Sequence, residues 1–242
     1  MTYIITARTE SSILMGSDTR LSYFNDIEQN GVLCQQIAAV ADCIQKTFYI
    51  RNARLGIHFL GIGYFPDNTK SYPLSHFVDK LEQLTYTANI KNDCTAIFNY
   101  LIKLSKKGNT GQYIKGNMSG FSKGKAYICT FNTFNNQFNI QEFHIGNFVD
   151  SENDKTPFPS KRGEAIKEIN TRIENKSQVQ PWDIGGPVEI LEIDKHNSFN
   201  FIQKNENTFS GAKDELVYCF NNDIKKINGT LIDPPKIVKY RL

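Results

Sequence analysis

Thr2, Asp18 and Lys46 are residue types that together could carry out acyl transfer. Once Met1 is removed, which a small second residue permits, Thr2 holds a free α-amine and a hydroxyl on one residue. A hydroxyl is a poor nucleophile until a base takes its proton, and the amine can be that base, directly or through water. An α-amine with a pKa of ~7.7–8.0 is partly neutral near physiological pH. A lysine ammonium beside it favours both the neutral amine and the developing alkoxide, and an aspartate keeps that lysine charged and oriented. The oxyanion also needs a donor, and one backbone N–H aimed at it contributes roughly 2.7–4 kcal/mol to the transition state.

These residues can act together only if strands bring them together. Tyr3–Thr9 (YIITART) and Ser12–Gly16 (SILMG) flank Glu10-Ser11, which reads as a hairpin. With a two-residue turn, Thr9 pairs with Ser12, Tyr3 with Asp18 and Thr2 with Thr19, so Asp18 sits beside the chain's start. Lys46–Ile50 and Leu55–Leu60 read as two further strands. Between them and the first hairpin, Asn25–Asn30 is polar, and LCQQIAAVADCIQ (33–45) has helical spacing.

Tyr72–Tyr86 and Asp93–Lys107 place apolar residues on one helical face, the first with proline near its start and the second with Asp93 as its cap. Gly108–Gly124 reads as a loop. Lys125–Phe131 and Phe138–Ile145 form a hairpin around NTFNNQ, and Lys161–Asn175 an amphipathic helix. Val188–Ile193, Phe199–Gln203 and Glu215–Phe220 read as strands, and the tail DPPKIVKYRL as extended. Strands and helices come in runs rather than alternating, which suggests α+β layers with antiparallel sheets.

Each candidate also has an ordinary reading. Threonine at position 2 is common. Asp18-Thr19 could simply end a strand in a turn. Lys46 could be a solvated strand-edge lysine, and Gly61, Gly63 and Gly185-Gly186 could be bends.

Taken in order, the motifs resemble the β-subunits of proteasomes and related bacterial protease rings, within the N-terminal nucleophile hydrolases. Those chains begin with Thr and carry an Asp sixteen residues later in a GVVLAADTR-like context; here SILMGSDTR puts Asp18 sixteen residues after Thr2, and Arg20 fits as well. Lys46 in QKTFYI, followed by LGIHFLGIG, matches their lysine strand and the glycine-ended strand after it. FHIGNF (143–148) resembles the strand that ends before their third helix, and WDIGGPVEILEID (182–194) the Gly-Gly strand after it. The stretch between Asp18 and Lys46 is longer than in that family. Asn147 stands where a Ser is usual, Ile184 precedes Gly185-Gly186 where a Ser is usual, and Asp183 is offset from the family's Asp.

The resemblance implies a four-layer αββα sandwich of two antiparallel sheets covered by helices, as one domain over 1–242 with 21–45 readable as an insertion. It implies a threonine-type hydrolase of peptide or other amide bonds, with Thr2, Asp18, Lys46 and Gly61 catalytic and Arg20, Asn147 and Asp183 supporting. It also implies homo-oligomers, a ring among them, and an ATPase unfoldase as partner. The departures leave two alternatives: a non-catalytic assembly subunit of the same fold, or a small-amide acylase.

Composition narrows the rest. A net charge of +3 gives no case for a nucleic-acid or membrane partner, and no apolar run reaches the ~20 residues of a membrane span. The start lacks a signal-peptide pattern. Cys34, Cys43, Cys94, Cys129 and Cys219 are odd in number and widely spaced, which fits reduced thiols in the cytoplasm better than disulfides. Neither they nor His58, His76, His144 and His196 have metal-site spacing, so no metal and no cofactor is expected. A thiol dyad of Cys94 or Cys129 with a histidine has no support from spacing.

Overall fold

The computed structural model describes residues 2–61, 64–107, 113–152, 154 and 156–238. The chain opens with β1 (Ile4–Arg8) and β2 (Ser12–Ser17), paired antiparallel from Ile4↔Ser17 to Arg8↔Ile13. Glu10 and Ser11 make the turn, where the Thr9 amide donates to the Ser12 carbonyl at 2.9 Å. Tyr3 therefore faces Asp18, and the Asp18 amide donates to the Tyr3 carbonyl at 3.2 Å. Every residue of both strands is buried, as continuous apolar runs require when both sheet faces are covered.

Next come β3 (Arg20–Gln29), β4 (Val32–Asp42), β5 (Thr47–Ile50) and β6 (Leu55–Leu60), then the small hairpin of β7 (Tyr64–Asp67) and β8 (Lys70–Pro73). A 3-10 turn, Leu74–Phe77, leads into α1 (Val78–Glu82) and then α2 (Ile90–Lys106). The chain continues through β9 (Lys115–Ser122), β10 (Lys125–Asn132), β11 (Gln137–Glu142), β12 (Phe148–Asp150) and α3 (Arg162–Val179). It closes with β13 (Glu189–Asp194), β14 (Phe199–Gln203), α4 (Lys213–Asn222) and β15 (Gly229–Val238).

The architecture is mixed α+β with antiparallel sheets. One five-stranded sheet has the order β12-β1-β2-β13-β14, and a second the order β11-β10-β9-β6-β5. Ile13, Met15, Leu191 and Ile193 of the first pack with Phe121 and Ile128 of the second. A Cβ added at Gly56 on β6 would lie 2.3 Å from the Met15 Sδ, so the sheets meet closely there. Ala165, Ile169 and Ile173 of α3 pack on Ile5, Leu14 and Ile190 of the first sheet. Ile97, Leu101 and Leu104 of α2 pack on Ile57, Met118 and Phe131 of the second. This arrangement is compatible with a sandwich. A third sheet, β15-β4-β3, stands apart and packs through Ala39 and Ala41 on Leu216, Cys219 and Phe220 of α4.

Several expected elements take another form. The segment 33–45 is not helical: it is mostly β4, half of a long hairpin turned at Asn30 (φ 54°) and Gly31 (φ 72°). An Asn-Gly pair with two positive φ values suits the twist of a two-residue hairpin turn. Pairing with β3 passes from Tyr23↔Ala39 to Phe24↔Ile37, skipping Ala38. Across that bulge Ile37 and Val40 share one apolar cluster, three residues apart, a spacing that imitates a helix.

The expected loop 108–124 contains β9, an inner strand of the second sheet; residues 108–112 lie outside the described residues. Its glycines reflect close approach, since a Cβ at Gly116 would lie 1.9 Å from the His58 carbonyl oxygen. Glu215–Phe220 belongs to α4, with Leu216, Cys219 and Phe220 buried at helical spacing.

The expected helix 72–86 is split, because Pro73 favours an extended Tyr72 and ends β8 there. Asn89, not Asp93, caps α2 by accepting from the amides of Lys91 and Asn92. Residues 143–147 form a turn, and the strand there is β12.

Candidate active site

The start of β1, the end of β2 and the approach to β5 converge on one buried ion pair. Lys46 Nζ lies 2.8 Å from Asp18 Oδ2, with the two side chains only 1% and 0% exposed. Lys46 also donates to the Arg20 carbonyl at 2.9 Å. The carboxylate accepts three further backbone N–H groups: Tyr3 on Oδ1 at 2.9 Å, and Arg20 at 3.2 Å and Gly185 at 3.4 Å on Oδ2. A buried ion pair persists only when its remaining hydrogen-bonding capacity is met, as it is here. Because the Tyr3 amide is one donor, the pair is fastened to the backbone immediately after Thr2. Thr2 itself is buried.

Arg20 contributes through its backbone oxygen to Lys46 and through its side chain to the surroundings. Its guanidinium grips Asp42 in bidentate fashion at 2.7 and 2.8 Å and donates to the Pro181 carbonyl. It thereby holds the loop that carries Gly185 against the end of β3. The loop runs tight: a Cβ at Gly185 would lie 2.7 Å from the Arg20 guanidinium, and one at Gly186 2.8 Å from the Asp42 side chain.

Gly61 follows β6 with φ +75°, a conformation that favours glycine. Lys46 and Gly61 line one narrow crevice of about 10 Å³ together with Phe59, Pro73 and Leu74. The Phe59 amide donates to the Lys46 carbonyl at 3.0 Å, tying β6 to the lysine. Gly63 and Met1 lie outside the described residues.

The expected supporting residues Asn147 and Asp183 take different places. Asn147 is exposed at the opposite end of β1, where its carbonyl accepts the Arg8 amide at 2.9 Å, roughly 20 Å along the strand from Thr2. Asp183 sits beside Ser22 of β3, accepting from its hydroxyl at 3.2 Å. The same loop reaches Asp18 through the Gly185 amide.

Two residues near the centre escaped the sequence reading. Ser151, just after β12, donates its amide to the Ile4 carbonyl at 3.1 Å. Its Oγ is buried without a hydrogen-bond partner among the described residues. Matching the family's Ser position to Asn147, ahead of β12, concealed it. Glu189 is fully buried at the start of β13 and accepts the amides of Lys46 and Asn205, both at 3.4 Å. Burial pushes its carboxyl up to about 7. A glutamate second in the run VEILEI gave no hint of facing inward.

The thiols are buried. A hydrogen bond with Cys129, and then burial, push the Cys94 thiol well up, which disfavours a thiolate. Among the described residues no group of three or more His, Cys, Asp and Glu could hold a metal ion. Among the described residues no helix is long and apolar enough to cross a membrane.

No family model and no curated protein sequence matches the chain. Among solved structures it is similar to the Anbu (Gly-1) mutant from Hyphomicrobium sp. strain MC1, with a TM-score of 0.57 and 12% identity over 93% of this chain and 96% of that one. The likeness is one of fold, and the fold is proteasome-like.

Proposed function

We propose that the chain is a single αββα-sandwich domain, with the β3–β4 hairpin as an insertion, and a threonine-type N-terminal nucleophile hydrolase of peptide or other amide bonds. The observation that carries this reading is the buried Lys46–Asp18 pair fastened to the Tyr3 amide. On removal of Met1, the Thr2 amine takes the proton from its own Oγ, and Oγ attacks the substrate carbonyl. The electron pair of the carbonyl moves onto oxygen, and the Gly61 N–H donates a hydrogen bond to the oxyanion. Collapse of this intermediate expels the amine, which leaves with the proton held by the Thr2 nitrogen. Water, deprotonated by the same nitrogen, then hydrolyses the ester and frees Thr2. The charge on Lys46 favours the neutral amine and the alkoxide throughout.

Arg20 supports this centre through its carbonyl and its hold on the 181–185 loop. Ser151, rather than Asn147, is the hydroxyl that helps to position the Thr2 amine. In keeping with the fold, we place the protein in a homo-oligomer, a ring being the form in its resemblance family, working in the cytoplasm and served by an ATPase unfoldase where the substrate is a folded protein.

A second reading, a non-catalytic assembly subunit, draws on Asn147 and Ile184, which stand where the resemblance family usually has Ser.

The test is intact mass after treatment with a peptide epoxyketone, which needs both the hydroxyl and the free amine of an N-terminal threonine. The hydrolase reading predicts loss of Met1 and a one-to-one adduct that Thr2→Ala abolishes. A trimmed chain without adduct, or a retained Met1, moves the assignment to the assembly subunit. Turnover of a small amide but not of peptides, with the adduct present, makes it an acylase.

A further inference from the structure

The last strand of the second sheet, β5, lies along an open groove of about 700 Å³ between α1 and β14. In an antiparallel pair, alternate residues exchange hydrogen bonds with the neighbouring strand while those between them direct N–H and C=O away from it. The bond from the Phe59 amide to the Lys46 carbonyl puts Lys46, Phe48 and Ile50 in the first set. Thr47 and Tyr49 therefore turn their backbone groups toward the groove.

Side chains occupy the two ends of this edge. Gln45 Nε2 donates to the Thr47 carbonyl at 2.8 Å, and the Glu82 carboxylate accepts the amides of Arg51 and Asn52 at 2.6 and 2.9 Å. In the middle, the outward N–H and C=O of Tyr49 make no hydrogen bond to any described residue. A bare stretch of strand edge in a walled groove is a template for one more strand.

The walls differ in charge. On the β14 side, the Arg51 guanidinium lies 5.4 Å from the Phe199 ring centre, and Lys204 Nζ 5.4 Å from that of Phe201. On the α1 side stand Ser75, Val78 and Asp79. An added strand sends alternate side chains to opposite walls. The cationic, aromatic wall suits carboxylates, and the α1 wall, where Asp79 and the Glu82 carboxylate stand beside Val78, suits uncharged side chains.

We propose that this groove binds an extended peptide segment of a partner protein by strand addition to β5, with acidic residues at alternate positions facing Arg51 and Lys204. The Tyr49 backbone exchanges two hydrogen bonds with one peptide residue, and the acid-bearing face sets orientation and register. The site does not depend on the hydrolase reading.

The probe is the fluorescein-labelled octapeptide (Glu-Val)4, followed by fluorescence anisotropy with (Lys-Val)4 as its charge-reversed counterpart. The expected result is saturable binding of the acidic peptide, weakened tenfold or more by Arg51→Glu with Lys204→Glu, which in turn favours (Lys-Val)4. N-methylation of all glutamates or of all valines separates the two backbone edges of the peptide. One set must abolish binding and the other must be tolerated. Amide exchange at Tyr49 must slow when the peptide is present. No binding, equal effects of the two methylated sets, or unchanged exchange at Tyr49 overturns the proposal. Both substituted positions are exposed, and thermal unfolding of the variant confirms its fold before binding is read.

Discussion

Lys46 and Asp18 bury two full charges, and each depends on the other. Lys46→Met would leave the carboxylate enclosed with only its three amide donors, and removing one partner of a buried pair costs about 3–5 kcal/mol. Adding Asp18→Asn to that variant removes the stranded charge. The double variant should therefore unfold at a higher urea concentration than Lys46→Met alone, while neither forms the epoxyketone adduct. A double variant as weak as the sum of the two single ones would show that the residues do not act as a pair. Asp18 and Lys46 each had an ordinary reading alone, and only the order of motifs shared with the resemblance family set them side by side. Ser151 and Glu189 were not legible, because an isolated serine in a polar run and a glutamate in a strand carry no mark of burial.

At the scale of elements, the loop 181–186 reaches the ion pair only by running close to β3. A Cβ at Gly186 would meet the Thr19 hydroxyl at 2.6 Å and Asp42 at 2.8 Å, in a backbone with φ +74°. Gly186→Ala should lift the loop, loosen the Arg20–Asp42 grip and withdraw the Gly185 amide from Asp18. The expected cost is about 1–3 kcal/mol from strain and overpacking, read as a lower denaturation midpoint together with slower adduct formation. An unchanged midpoint with normal adduct formation would mean that the loop is free to move without consequence. The first hairpin could be read to the residue, since a two-residue turn fixes the pairing on either side of it. The β3–β4 hairpin could not, because the bulge at Ala38 disguised its alternation, although Asn30-Gly31 announced the turn. Inner strand β9 was concealed by glycines that serve contact with β6 rather than flexibility.

For the molecule as a whole, two buried groups set opposing responses to pH. The Glu189 carboxyl is raised from 4.5 to about 7, so between those values the folded chain keeps a proton that the unfolded chain has lost, and stability falls as pH rises. His58, enclosed between the sheets, is lowered by burial from 6.5 to about 3, so the unfolded chain takes up its proton first and stability falls as pH drops through that interval. Where the intervals overlap, each slope is about 1.4 kcal/mol per pH unit and they cancel. The protein should show a nearly constant melting temperature across the overlap. Glu189→Gln should convert this plateau into a steady rise with pH and leave the variant more stable than the parent at about pH 8. A variant whose profile stays flat would show that Glu189 keeps no raised carboxyl. The pair at Asp18 has a temporal consequence as well. Its lysine and two of its amide donors are encoded in the first fifth of the chain, whereas Gly185 and the Pro181 carbonyl that steadies Arg20 are made much later. During synthesis on the ribosome the early hairpin can form while its carboxylate still awaits a contact, so the charged centre is completed only when the later part of the polypeptide has emerged.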